Sequence, residues 1–263
     1  MIFDTHTHLN DEAFADKVAE KIQSAHQLGV DEMAIVGCDV ESNKKSIELS
    51  QQYDELYSII GIHPTEIKGY NQVVENDLQE QLTLKKVVAL GEIGLDYYWM
   101  EDEPKEQERI LRRQMAIARE MKMPVSIHTR SKDLHDTTAY EDMYRILKEE
   151  KVTGIIHSFN GNTEWMKRFV DLGMMVSFSG VVTFKNAKEV RQAAKEVPSD
   201  FYLVETDAPY LAPVPFRGQQ NEPGYTRYVV EKLVELRDEP LEVIAAQTTR
   251  NAHRLFGIEG SKL

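Results

Sequence analysis

Eight short, β-branched apolar runs recur along the chain, each followed by a longer segment of helical character, and no other feature limits the fold so tightly. The runs are Ile2–His6, Glu32–Gly37, Leu56–Ile62, Lys86–Gly91, Val125–His128, Gly154–His157, Met174–Phe178 and Phe201–Glu205. Between them, apolar residues return at helical spacing: Leu111, Met115 and Ala118 after Pro104, and Trp165 and Phe169 after Asn162-Thr163. Pro104 suits a first helical turn. Strands that alternate with helices pair in parallel, and eight such units predict an α/β chain closed into a single (β/α)8 TIM barrel. An open doubly wound sheet is the rival, but no G-x-G-x-x-G or P-loop turn follows any run. At 263 residues, with no linker or compositional break, residues 1–263 read as one barrel domain. The Pro-rich stretch Ala208–Thr226 reads as an ordered loop over the barrel mouth, because a further helix pair follows it.

Cys38 is the single cysteine, so a disulfide framework is excluded. The opening MIFDTHTHLN lacks the basic start and apolar run of a signal peptide, and no stretch reaches the length of a membrane span. These features predict a cytoplasmic location and no membrane partner. A net charge of −13 argues against broad electrostatic contact with duplex nucleic acid. A pocket holding divalent cations is nonetheless locally positive, so a short or end-on contact with DNA or another phosphodiester stays compatible with the sequence. The sequence sets no oligomeric state.

In a barrel enzyme the chemistry sits at the C-terminal ends of the strands. Five of the eight histidines fall there: His6 and His8 on the first run, His63 on the third, His128 on the fifth and His157 on the sixth. If strand ends make up roughly an eighth of a barrel, about one would be expected. His6 and His8 are two residues apart and so project to one face of a strand, the geometry for two ligands on one ion. Carboxylates stand at other ends: Glu92 after the fourth run, Glu205 and Asp207 after the eighth. A lone strand-end histidine is more often a hydrogen-bonded structural residue. Four imidazoles and two or three carboxylates converging at one mouth are too polar to stay unpartnered, and divalent metal satisfies them best. His26 and His253 fall in helical segments as surface or packing residues. His135 is given no role, Met115, Met121, Met123 and Met166 are core filler, and the acidic run Glu101–Glu103 is solvated surface.

With those residues in place, the chain resembles the TatD family of metal-dependent hydrolases, within the amidohydrolase superfamily of barrels. The motifs are DTHTHL at Asp4–Leu9, GIHP at Gly61–Pro64, GEIGLDYY at Gly91–Tyr98, PVSIHTR at Pro124–Arg130, HSF-x-G at His157–Gly161, SFSGVVTFK at Ser177–Lys185, and ETDAPYLAP followed by RG-x-x-NEP up to Pro223. The resemblance implies two divalent ions, from among Zn, Mn, Co and Mg. His6, His8, Glu92 and Asp207 would hold one, and Glu92, His128 and His157 the other, with Glu92 bridging. It further implies that His63 and Arg217 contact a substrate phosphate and that Glu205 fixes a ligand. Asp4 would do likewise or serve as a buried structural carboxylate, and Tyr97 and Lys185 would line the mouth. The chain departs from the family pattern at Phe216, where a histidine is usual, at Gln219 and Gln220, and at Ser131 and Lys132. Fewer cations in the strand-eight loop weaken the grip on a long polyanion.

The expected chemistry is attack by a metal-activated water, with Asp207, Glu92 and His63 carrying it and Asp207 taking the proton. Phosphodiester hydrolysis on DNA from a strand end, as in a 3′–5′ exonuclease, is the leading expectation. Carbonyl chemistry at the same site, on an ester, lactone, amide or D-aminoacyl-tRNA, is the alternative. A barrel that has lost catalysis and only binds is a third, opposed by the complete set of candidate ligands.

Overall fold

The structure, a computed structural model, describes residues 1–100, 103–133 and 136–258, so His135, Glu101 and Asp102 lie outside the described residues. Eight parallel strands form one sheet in sequential order: β1 Ile2–Thr7, β2 Val30–Val36, β3 Leu56–Ile60, β4 Val87–Asp96, β5 Val125–Arg130, β6 Gly154–Ile156, β7 Met175–Phe178 and β8 Tyr202–Val204. Helices α1 Val18–Gln27, α2 Val40–Gln52, α3 Gln72–Gln81, α4 Pro104–Met121, α5 Thr138–Glu150, α6 Thr163–Asp171, α7 Lys188–Glu196 and α8 Thr226–Arg237 alternate with them, and α9 Leu241–Phe256 follows. This is the expected (β/α)8 barrel. The described residues include no helix long and apolar enough to cross a membrane.

Local chemistry accounts for the helix starts. Asp39 and Ser42 form a reciprocal capping box on α2, Asn71 and Asn162 cap α3 and α6, and Pro104 occupies the first turn of α4. On α4 one face buries Ile110, Leu111, Met115 and Ala118 against the barrel.

The seam between β1 and β8 is closed largely by side chains and by the segment after β8. Thr5 Oγ1 donates to the Val204 carbonyl (3.0 Å), and Asp207 N–H donates to the His6 carbonyl (2.8 Å). Asp4, fully buried, accepts from the Thr206 N–H (3.0 Å), the Thr206 hydroxyl (2.6 Å) and the His6 N–H (3.2 Å). Burial pushes its carboxyl up to about 8, against those hydrogen bonds.

The fourth strand departs from expectation. It was expected to end at Gly91, with Glu92 beyond it, whereas β4 continues through Glu92 to Asp96. In the fold, Gly94 lies opposite His128 with φ 158°, and a β-carbon there would come within 1.9 Å of the His128 carbonyl oxygen. The glycine permits close approach of two strands rather than a turn. The ladder shifts register between Leu90 and Ile93, which places Glu92 at an irregularity.

Candidate metal centre

The strand ends that carry the site are fastened by buried amides. Asn10 Nδ2 donates to the carbonyls of Val36 (3.0 Å) and Ser42 (3.0 Å). Asn43 brackets both backbone groups of Gly61, and Gln114 does the same for Ile62, which fixes the approach to His63. Gln107, seven residues before Gln114 on α4, brackets Asp96 at 2.7 and 3.0 Å. Asn221 ties the loop after β8 through the carbonyls of Thr206 (2.9 Å) and Tyr210 (2.6 Å). Each amide satisfies backbone groups that would otherwise be buried and unpaired.

Four donor atoms meet on one side of Glu92. His6 Nε2 lies 3.3 Å from His8 Nε2, 3.5 Å from Glu92 Oε2 and 3.7 Å from Asp207 Oδ1. His8 Nε2 is 3.3 Å from Asp207 Oδ1 and 3.9 Å from Glu92 Oε2. Ligands about 2.1 Å from a tetrahedral centre stand about 3.4 Å apart, so these residues fit a divalent cation. His8 Nδ1 donates to the Val36 carbonyl at 3.1 Å, which leaves Nε2 turned inward. Asp207 holds φ 57°, a left-handed conformation that aspartate enters more readily than most residues.

The other carboxylate oxygen of Glu92 faces a second group. Oε1 lies 2.7 Å from His157 Nε2, 2.8 Å from His128 Nδ1 and 3.5 Å from His63 Nε2, and the His157 and His128 nitrogens are 3.4 Å apart. Among the described residues, His63, Glu92 and His128 form one of three overlapping sets close enough to share an ion; His6, His8 and Glu92 form another, and His6, His157 and Glu205 a third. Behind His157, Glu205 Oε1 accepts from the Ser158 N–H at 2.7 Å and stands 3.4 Å from His157 Nδ1. This puts a carboxylate behind the ring whose Nε2 faces Glu92.

Burial opposes charge throughout this cluster, and the charges nonetheless survive in pairs. Against burial, His157, His63 and His128 hold the Glu92 carboxyl well below the ordinary range. Burial likewise opposes protons on His8 and His157, but Asp207 with Cys38 around the first ring, and Glu92 with Glu205 around the second, hold both well above the ordinary histidine value. His6 and His63 are shifted down, burial being the main cause.

Two participants were not anticipated. Asp96 Oδ2 lies 2.9 Å from His128 Nε2, a carboxylate behind an imidazole whose other nitrogen faces Glu92. Its signal was present in GEIGLD, since residues 92 and 96 share a face once the strand runs on. Cys38, just past β2, puts Sγ 3.7 Å from Glu92 Oε2, and burial pushes its thiol pKa up.

Tyr97 and Lys185, expected to line the mouth, and Arg217, expected on a substrate phosphate, are not among the residues lining the cleft. Tyr97 is buried and donates to Asp142 Oδ2 on α5 at 2.9 Å, while its neighbours Tyr98 and Trp99 line the cleft. Tyr97, Tyr98 and Trp99 lie in the turn that follows β4, in which Asp96 Oδ1 accepts from the Tyr98 and Trp99 N–H groups. Lys185 is exposed, and Arg217 lies over the Phe184 ring at 3.7 Å. Phe216 stacks on Tyr225 with centroids 4.1 Å apart, an aromatic contact that a histidine would make less apolar. The cleft, about 1390 Å³, is lined by His8, His63, Glu92, His128, His157 and Asp207 at its base. Among the described residues of the lining, the Lys and Arg side chains are those of Arg130 and Lys132, set against acids that include Asp11, Asp39, Glu66, Asp136 and Glu189.

Known proteins share this architecture. Residues 3–257 match the family model described as TatD related DNase. The chain is 41% identical over 261 residues to YabD of Bacillus subtilis, named an uncharacterized metal-dependent hydrolase, covering 98% of this chain and all of that one. It is 41% identical over 219 residues to the similarly named YcfH of Escherichia coli, covering 82% of this chain and 79% of the relative. The crystal structure of YjjV, a TatD homolog from E. coli, superposes with a TM-score of 0.91 at 31% identity over 98% of both chains.

Proposed function

The chain belongs to the TatD-related DNase family of metal-dependent hydrolases, and from that premise we propose that it cleaves phosphodiester bonds in DNA from a strand end, using two divalent ions. The division of Glu92 carries the reading: Oε2 faces His6 and His8, whereas Oε1 faces His128 and His157. A carboxylate shared in that way suits a bridging ligand. His6, His8, Glu92 and Asp207 would hold one ion, and Glu92, His128 and His157 the other. Imidazole with carboxylate suits Zn, Mn or Co, with Mg an option at the carboxylate-rich position.

A divalent pair there supplies Lewis-acid chemistry, lowering the pKa of water and drawing charge from a phosphoryl oxygen. Asp207, with one oxygen toward His6 and His8, has a second oxygen to accept the proton of an attacking water and to return it to the leaving group. Glu92 keeps both halves of the site at fixed separation. His63 Nδ1 lies 2.7 Å from Thr65 Oγ1, and its Nε2, 3.5 Å from Glu92, is placed to donate to a non-bridging oxygen. Asp96 and Glu205 hold the rings of His128 and His157 in orientation. The lining, with two cations among many acids, favours a short end over a long duplex.

The test is a panel of 3′-labelled single-stranded and duplex oligonucleotides, aminoacyl-tRNA and simple esters, each with added metal and with chelator. Metal-dependent release of 3′ nucleotides, faster from single strands, is expected. Turnover of aminoacyl-tRNA or esters without oligonucleotide cleavage would replace the phosphodiesterase reading with carbonyl chemistry.

A further inference from the structure

Two large aromatic side chains stand open at the cleft beside the second half of the site. Tyr98 is 49% exposed and Trp99 65%, and both line the cleft. Adjacent exposed rings at the rim of a cleft offer apolar area that a bound ligand can cover. The Arg130 guanidinium lies 4.1 Å from the Tyr98 ring centre and 5.6 Å from that of Trp99. Among the described residues no carboxylate pairs with Arg130, so its charge remains available to an anion.

One carboxylate joins these rings to the metal ligands. Asp96 Oδ1 accepts from the N–H groups of Tyr98 (3.0 Å) and Trp99 (2.8 Å), while Oδ2 holds His128 (2.9 Å). In the β4–β5 ladder Asp96 pairs with Arg130 and Gly94 with His128. Arg130 therefore sits two residues beyond the ligand, about 7 Å at strand spacing. Apolar rings beside a guanidinium, at a fixed short distance from a phosphoryl-transfer site, suit a flat aromatic group attached to a phosphate.

We propose that the Trp99 ring, set at 89° to Tyr98 and flanked by Arg130, forms a stacking platform for the nucleobase adjoining the scissile phosphate. This rests on the phosphodiesterase reading for its substrate class. Stacking does not read sequence, since every base has a π-face, so the platform selects an unpaired terminal base of any identity. A paired base, stacked on both neighbours, is not available to it.

Calorimetry on metal-loaded protein with dAMP and with 2-deoxyribose 5-phosphate isolates the base. In the wild type dAMP should bind about 5- to 100-fold more tightly, the range that stacking on an aromatic side chain provides. Trp99→Ala should remove most of that advantage and Trp99→Phe should keep it, with metal content unchanged in both. Equal affinities for the two ligands, no binding of dAMP, or an advantage that survives Trp99→Ala would overturn the platform. In parallel, an oligonucleotide with an abasic 3′ end should show a raised KM with wild type and no further rise with Trp99→Ala. If the wild type cleaves no oligonucleotide, the nuclease reading fails, and the calorimetric comparison still decides the platform.

Discussion

Asp96 Oδ2 stands 2.9 Å from His128 Nε2, on the far side of the ring from Glu92. A carboxylate in that position fixes which nitrogen carries the proton and raises the basicity of the other. Asp96→Asn should fold normally and lose about 10- to 100-fold in affinity for one ion, the usual effect of removing such a partner. Competition with a chromogenic chelator measures it, and an unchanged affinity would mean that His128 is oriented by packing alone.

Asp207 and His128 separate proton transfer from metal retention. Asp207→Asn should keep the fold and most of the metal while turnover drops by about 10²- to 10⁴-fold, as expected for loss of a general base. His128→Ala should instead lose one metal equivalent per chain by elemental analysis. Near wild-type rates in the first variant, or two ions retained in the second, would contradict the assignments.

The barrel seam depends on Asp4. Asp4→Ala leaves the Thr206 N–H, the Thr206 hydroxyl and the His6 N–H without their acceptor. At about 1 kcal/mol or more for each buried unpaired group, the loss is about 3 kcal/mol, or a Tm lower by about 10 °C in a chain of this size. A melting temperature within a degree of wild type would show that the seam closes without this side chain.

Acid sensitivity should be traceable to the contact between α4 and α5. Glu108 accepts from Arg145 at 2.8 and 2.9 Å and from Arg112 at 2.9 Å, and these partners lower its carboxyl to about 2 despite partial burial. A carboxyl whose folded value lies below its ordinary 4.5 stabilises the fold above that pH and loses the contribution as pH falls toward 2. The Tm difference between wild type and Glu108→Gln should therefore be constant above about pH 5.5 and shrink as pH falls below about 4.5. A difference independent of pH between 6 and about 3.5 would exclude this linkage.

Much of the architecture is legible in one dimension because its causes are local. The strand-then-helix rhythm of the chain follows from alternation within each strand and from helix-starting residues such as Asp39, Pro104 and Asn162. His6, His8, His63, His128 and His157 could be placed at strand ends for the same reason. Where tertiary contacts decide, the sequence stops short: the apolar run ends at Gly91, whereas β4 continues to Asp96 and carries it to His128.

The order of residues along the chain determined the barrel and put the imidazoles and carboxylates at its mouth, since strand and helix periodicities act over a few residues. Only the closed structure decided that Glu92 divides its oxygens between two groups, that Asp96 backs His128, and that Tyr98 and Trp99 rather than Tyr97 border the cleft. Those outcomes depend on register between strands that are neighbours in space and remote in sequence. A shift of one residue there turns a side chain from the cleft to the surrounding helices.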